Sequence, residues 1–149
     1  MASLSERIRA RRESLGLDAN DVAKELGLSW SEYYDIEAYD HEFPTVPDLS
    51  RAKQLCARLG LDILSLLNKP RAHPPTEGSE KSTRSRSGVI RERRTALNLS
   101  EAELGDLIGW EASAIHDVEA KDGGIEAYPI FFIEKLSEVL GIPFETLIE

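Results

Sequence analysis

LGLDANDVAKELGLSWSEYYDIEAY, residues 15–39, is the stretch that decides the fold. Asp18 stands ahead of a helical pattern in which Val22, Ala23 and Leu26 share one side. It reads as the N-cap of a helix over 19–26. Gly27 suits the left-handed turn that ends this helix. Ser29-x-x-Glu32 is a capping box, in which hydroxyl and carboxylate each satisfy an orphan backbone N–H, and it opens a third helix running to about Tyr39. Upstream, Ser3-x-x-Glu6 is a second capping box, before a helix with Leu4, Ile8 and Leu15 on one side that Gly16 can end. Downstream, after a loop with Pro44 and Pro47, a fourth helix turns Leu49, Ala52, Leu55, Cys56 and Leu59 inward. Asp62 caps a short fifth helix ending near Leu67. No strand is needed.

The pattern recurs. A shift of 82 residues aligns IRARRESLGL, residues 8–17, with IRERRTALNL, residues 90–99. It also brings Gly27 onto Gly109, Asp35 onto Asp117 and Ile36-Glu37-Ala38 onto Val118-Glu119-Ala120. One residue is lost in the following loop, after which Leu55, Leu59 and Gly60 align with Leu136, Leu140 and Gly141. In the second copy Ser100-x-x-Glu103 is the capping box, and Pro143 is expected in the first turn of the last helix. Glu111 replaces the serine cap of the third helix, and the loop DGGIEAYPIFF is unusual. Between the copies NKPRAHPPTEGSEKSTRSRSG, residues 68–88, has the composition of a linker. The expected organisation is a first domain over 1–68, a linker over 69–87 and a more degenerate second domain over 88–149. Those segments carry net charges of −4, +3 and −8, counted from their Lys, Arg, Asp and Glu residues.

Composition removes several classes of function. Among 149 residues, 18 Lys and Arg stand against 27 Asp and Glu, for a net charge of −9. That balance argues against a non-specific nucleic-acid binder, which is normally basic. No apolar run approaches the roughly 18 residues a membrane span needs, and the first residues lack a signal peptide's apolar stretch. A lone cysteine, Cys56, excludes an internal disulfide and fits a reducing cytoplasm, the expected location. There is no Gly-rich phosphate loop, His-Glu metal motif or nucleophile elbow. The expectation is therefore no enzyme, no metal, no cofactor, no membrane and no small-molecule ligand.

Helix, short helix, glycine turn, helix, loop and two more helices, carried by residues 15–39 and by LNLSEAELGDLIGWEASAIHDVEAK at 97–121, resembles the Cro/cI-repressor (XRE-type) helix-turn-helix family. The resemblance implies an all-α chain of two tandem five-helix, lambda-repressor-like domains joined by the Pro/Ser-rich linker. In that family an Arg late in the first helix pairs with a Glu ending the third. Arg12 with Glu37, and Arg94 with Glu119, fall at those positions as structural pairs. Groove-facing positions fall on Trp30, Ser31, Tyr34 and Asp35 in copy one, and on Ala112, Ser113, His116 and Asp117 in copy two. The phosphate-anchor position, usually Gln, is Ala19 and Glu101. Candidate phosphate contacts are Arg9, Arg11, Arg91 and Arg93 from the first helices, with Arg84 and Arg86 from the linker.

The implied function is a sequence-specific, double-stranded-DNA-binding transcriptional regulator, a repressor or antitoxin-like protein. Two copies in one chain would stand in for the usual two-fold dimer. Beside DNA, a protein partner or a homodimer is expected, and the rival reading is a protein-binding adaptor in which the duplicated fold has lost DNA binding. Its basis is that none of the eight groove-facing positions holds the Arg, Lys, Gln or Asn that make bidentate contacts to guanine and adenine. Asp35 and Asp117 can accept from cytosine N4. Trp30 and Tyr34 suit either thymine methyls or a protein partner.

Overall fold

The computed structural model describes residues 3–69, 85–121 and 123–148, and the chain divides into two compact units, Met1–Pro70 and Arg71–Glu149. Every regular element among the described residues is helical. Unit one contains α1 (Leu4–Ser14), α2 (Ala19–Leu26), α3 (Trp30–Ala38), α4 (Leu49–Leu59) and α5 (Ile63–Leu66). Unit two contains α6 (Arg86–Ala96), α7 (Glu101–Ile108), α8 (Ala112–Ala120), a 3-10 turn at Gly124–Ala127, α9 (Ile130–Leu140) and α10 (Phe144–Ile148). No helix is long and apolar enough to cross a membrane among the described residues.

Side-chain caps set most of the helix starts. Ser3, Ser29 and Ser100 each form the reciprocal capping box with Glu6, Glu32 and Glu103. Asp18, Asp48 and Asp62 accept from the first-turn N–H groups of α2, α4 and α5. Glu111 makes no side-chain cap bond at the start of α8. The helices then bury their apolar faces around one core per unit. Ile8, Val22, Tyr33, Ile36, Phe43, Leu55 and Leu59 are buried in unit one, and Ile90, Leu104, Ile115, Ile125, Phe132, Leu136 and Leu140 in unit two. Cys56 sits in the first core, where burial pushes its thiol up to about 12. It is an inert packing residue.

Two boundaries differ from the sequence reading. Helix α6 already begins at Arg86, with the Ser85 hydroxyl accepting from the Gly88 N–H at 3.1 Å. Arg86 and Ser87, assigned to the linker, thus form the first turn of a helix, because a serine cap and a buried Ser87 favour helix over extended chain. Pro143 precedes α10 instead of entering its first turn, and its carbonyl accepts from the Thr146 N–H at 3.0 Å.

Candidate nucleic-acid interface

The site is built by α1, α2 and α3 in unit one. Gly27 adopts φ +70° at the end of α2, and the Leu28 N–H reaches back to the Ala23 carbonyl at 2.9 Å. This tight turn sets α3 against α2. Arg12 then clamps α3 from α1. Its Nε donates to Glu37 Oε2 at 2.6 Å, one terminal nitrogen donates to Glu37 Oε1 at 2.9 Å, and the other donates to the Leu17 carbonyl at 2.8 Å. Both side chains are largely buried, and the Glu37 hydrogen bonds raise the guanidinium pKa. The pair ties α3 to α1, using a bidentate geometry only Arg can supply.

With Tyr33 and Ile36 turned inward, α3 presents Trp30, Ser31 and Tyr34 to solvent, with Asp35 half-buried beside them. Trp30 and Tyr34 are 54% and 53% exposed and stack at 5.1 Å with 23° between their planes. Beside them an open cleft is lined by Arg9, Arg12, Ala19, Trp30, Tyr33 and Glu37, among others. Ala19, at the phosphate-anchor position, opens α2 on the rim of that cleft. The Tyr33 hydroxyl is buried without a hydrogen-bond partner, and burial drives its pKa upward.

Unit two repeats the scaffold. Arg94 Nε and a terminal nitrogen bind Glu119 at 2.6 and 2.8 Å, and the remaining terminal nitrogen binds the Leu99 carbonyl at 2.7 Å. Its corresponding face differs. Ala112, Ser113, His116 and Asp117 are all exposed, yet three of them have polar neighbours within the unit, the Ser113 hydroxyl donating to Glu111 Oε2 at 3.5 Å. The Tyr128 hydroxyl donates to Asp117 Oδ2 at 3.1 Å, and His116 Nδ1 lies 3.4 Å from Glu101 Oε2. The sequence reading missed the Tyr128 contact. Its only signal was the unusual loop that carries this tyrosine.

The candidate cations sort into two groups. Arg11 and Arg93 are exposed and also anchor helix ends. Their Nε atoms donate to the Leu59 and Leu140 carbonyls, both at 2.7 Å, and so satisfy the C-terminal ends of α4 and α9. A cation there offsets the partial negative charge of orphan carbonyls. Arg86 is paired with Glu126 at 2.8 Å and largely buried. Arg9 is exposed, with Glu13 at 3.0 Å one turn along α1. Arg91 is exposed at the equivalent place on α6. Arg84 lies outside the described residues.

No curated protein and no solved structure matches the chain. Residues 8–66, from within α1 to the end of α5, match the helix-turn-helix family model, which supports the XRE-type resemblance for the first unit.

Proposed function

We propose that the chain is an XRE-type, sequence-specific DNA-binding transcription regulator whose first unit makes the reading contacts. The observation that carries this reading is the family match over residues 8–66 on a unit whose α3 is clamped by Arg12–Glu37 and keeps Trp30, Ser31 and Tyr34 exposed, with Asp35 beside them. Asp35 would accept from cytosine N4, and Trp30 and Tyr34 would meet thymine methyls. Arg9 would supply a phosphate contact. Unit two is a second, more degenerate helix-turn-helix domain after a Pro/Ser-rich linker, and the role is that of a repressor or antitoxin-like protein.

The test is selection from a random duplex pool at low salt. A short motif should be enriched. Trp30→Ala or Asp35→Ala should each weaken its binding by about 1–3 kcal/mol, the cost of one lost base contact. His116→Ala should leave binding unchanged. Recovery of no motif would overturn the proposal in favour of the adaptor reading. That second reading is favoured by one observation, the lack of any Arg, Lys, Gln or Asn at the eight groove-facing positions.

A further inference from the structure

The outer side of α7 and α9 in unit two is apolar where its counterpart in unit one is charged. In unit one, Glu25 on α2 pairs with Arg58 on α4 at 2.9 Å, and both side chains are about half exposed. The aligned positions in unit two are Leu107 and Val139, and Ser50 is replaced by Phe131. Leu107 is 59% exposed and Phe131 40%. The Trp110 ring lies 5.7 Å from Phe131, extending the strip. Phe131, Lys135 and Val139 follow one another at four-residue spacing along α9, so they share a face. The Lys135 ammonium sits 5.4 Å over the Phe131 ring. Exposed Leu107 and Phe131, flanked by half-buried Trp110 and Val139, form an apolar strip of the kind that marks an interaction surface.

Charge selects its occupant. Asp106, Glu111 and Glu138 are exposed on the same helices or the turn beside them. Residues 88–149 hold 13 acidic and 5 basic side chains, and two of those five, Arg93 and Arg94, are bound within the unit to Leu140 and Glu119. A second copy of so acidic a surface would be repelled, as would nucleic acid or an anionic membrane. We propose that this strip docks an amphipathic helix of a partner protein, with apolar residues on one face and basic residues at its margins. The proposal stands whether or not unit one reads DNA.

A labelled helical peptide with leucines at helical spacing and flanking lysines serves as the probe, titrated against the full chain by fluorescence anisotropy. Binding is expected, and replacing the flanking lysines by glutamates should abolish it. The double variant Leu107→Glu with Phe131→Ser installs the residues unit one carries at these exposed positions, so circular dichroism should be unchanged. It should weaken binding by about tenfold or more, a typical cost of losing interface anchors. Val139→Arg, made separately, should weaken it in the same direction by opposing the peptide's charge. Failure of the peptide to bind overturns the proposal, as does equal binding by the parent and both variants. Concentration-dependent dimerisation of the parent that the double variant lacks would assign the strip to a second copy and overturn it too.

Discussion

At the contact between the second and fourth helices of each unit, the two halves of this chain solve one packing problem with opposite chemistry. In unit one Arg51 reaches from α4, donates its Nε to the Leu26 carbonyl at 2.8 Å, and pairs with Asp48 at 3.2 Å. A cation closes the end of α2. The aligned residue in unit two is Phe132, fully buried, with Trp110 edge-on at 5.0 Å and Tyr128 stacked at 4.5 Å. Gly105 stands where unit one has Ala23, and a Cβ there would lie 2.6 Å from the Trp110 carbonyl oxygen. The second unit has therefore closed its turn more tightly around an aromatic cluster. Tyr128, part of that cluster, also bonds Asp117 on the face that would read a groove. The same backbone plan thus bonds Asp117 within unit two without altering the helix order.

The contrast is tested most strongly by truncation at the aligned pair. Phe132→Ala should destabilise unit two by about 3–5 kcal/mol, through lost burial and the cavity it leaves. Arg51→Ala should cost unit one only about 1–2 kcal/mol, the worth of a charged hydrogen bond at a partly exposed site. Chemical denaturation followed by the backbone resonances of each unit separates the two. Equal losses would show that the aromatic cluster adds nothing beyond the cap it replaces.

Where the units agree, their responses should agree. Arg12→Ala and Arg94→Ala each strand a carboxylate that is nearly buried, Glu37 or Glu119. Each should destabilise its own unit by about 3 kcal/mol. A large loss in one unit and none in the other, read by the same resonances, would break the equivalence that the matching distances imply.

The smallest effect is a dependence on acid at the start of α1. Ser5 donates both its N–H and its hydroxyl to Asp40 Oδ1, at 3.0 and 2.7 Å, and these bonds hold the Asp40 carboxyl below its ordinary range. A depressed carboxyl contributes stability that is present above its ordinary pKa and is lost as pH falls through the folded value. Asp40→Asn should therefore be less stable than the parent near pH 6, and the gap should close as the solution is acidified below the ordinary aspartate range. A gap that stayed constant down to strong acid would show that the Ser5 bonds favour neither protonation state.

Much of this was legible in residues 15–39 and 97–121. Capping boxes, Asp caps and glycine turns act within three or four residues, so helix order and most helix boundaries follow from local spacing. The Arg12–Glu37 and Arg94–Glu119 positions came from a family resemblance, since a pair 25 residues apart leaves no local trace. The fate of the other arginines was not legible. Arg9 and Arg11 look alike along α1 and both are exposed, but Arg9 pairs with Glu13 on its own helix, whereas Arg11 reaches the Leu59 carbonyl 48 residues away. The start of α6 was missed because Ser and Arg read as linker composition until the burial of Ser87 is known.

The sequence by itself determined that this is a helical chain with a repeated plan, because periodicity and capping are properties of neighbouring residues. Only the tertiary structure decided which polar groups remain available for a partner. Asp35 and Asp117 occupy the same position in their motifs, and Asp117 alone accepts from a tyrosine eleven residues on. That outcome depends on how a 3-10 turn and a loop bring Tyr128 back against α8, and a hydrogen bond forms only where distance and angle are met in three dimensions.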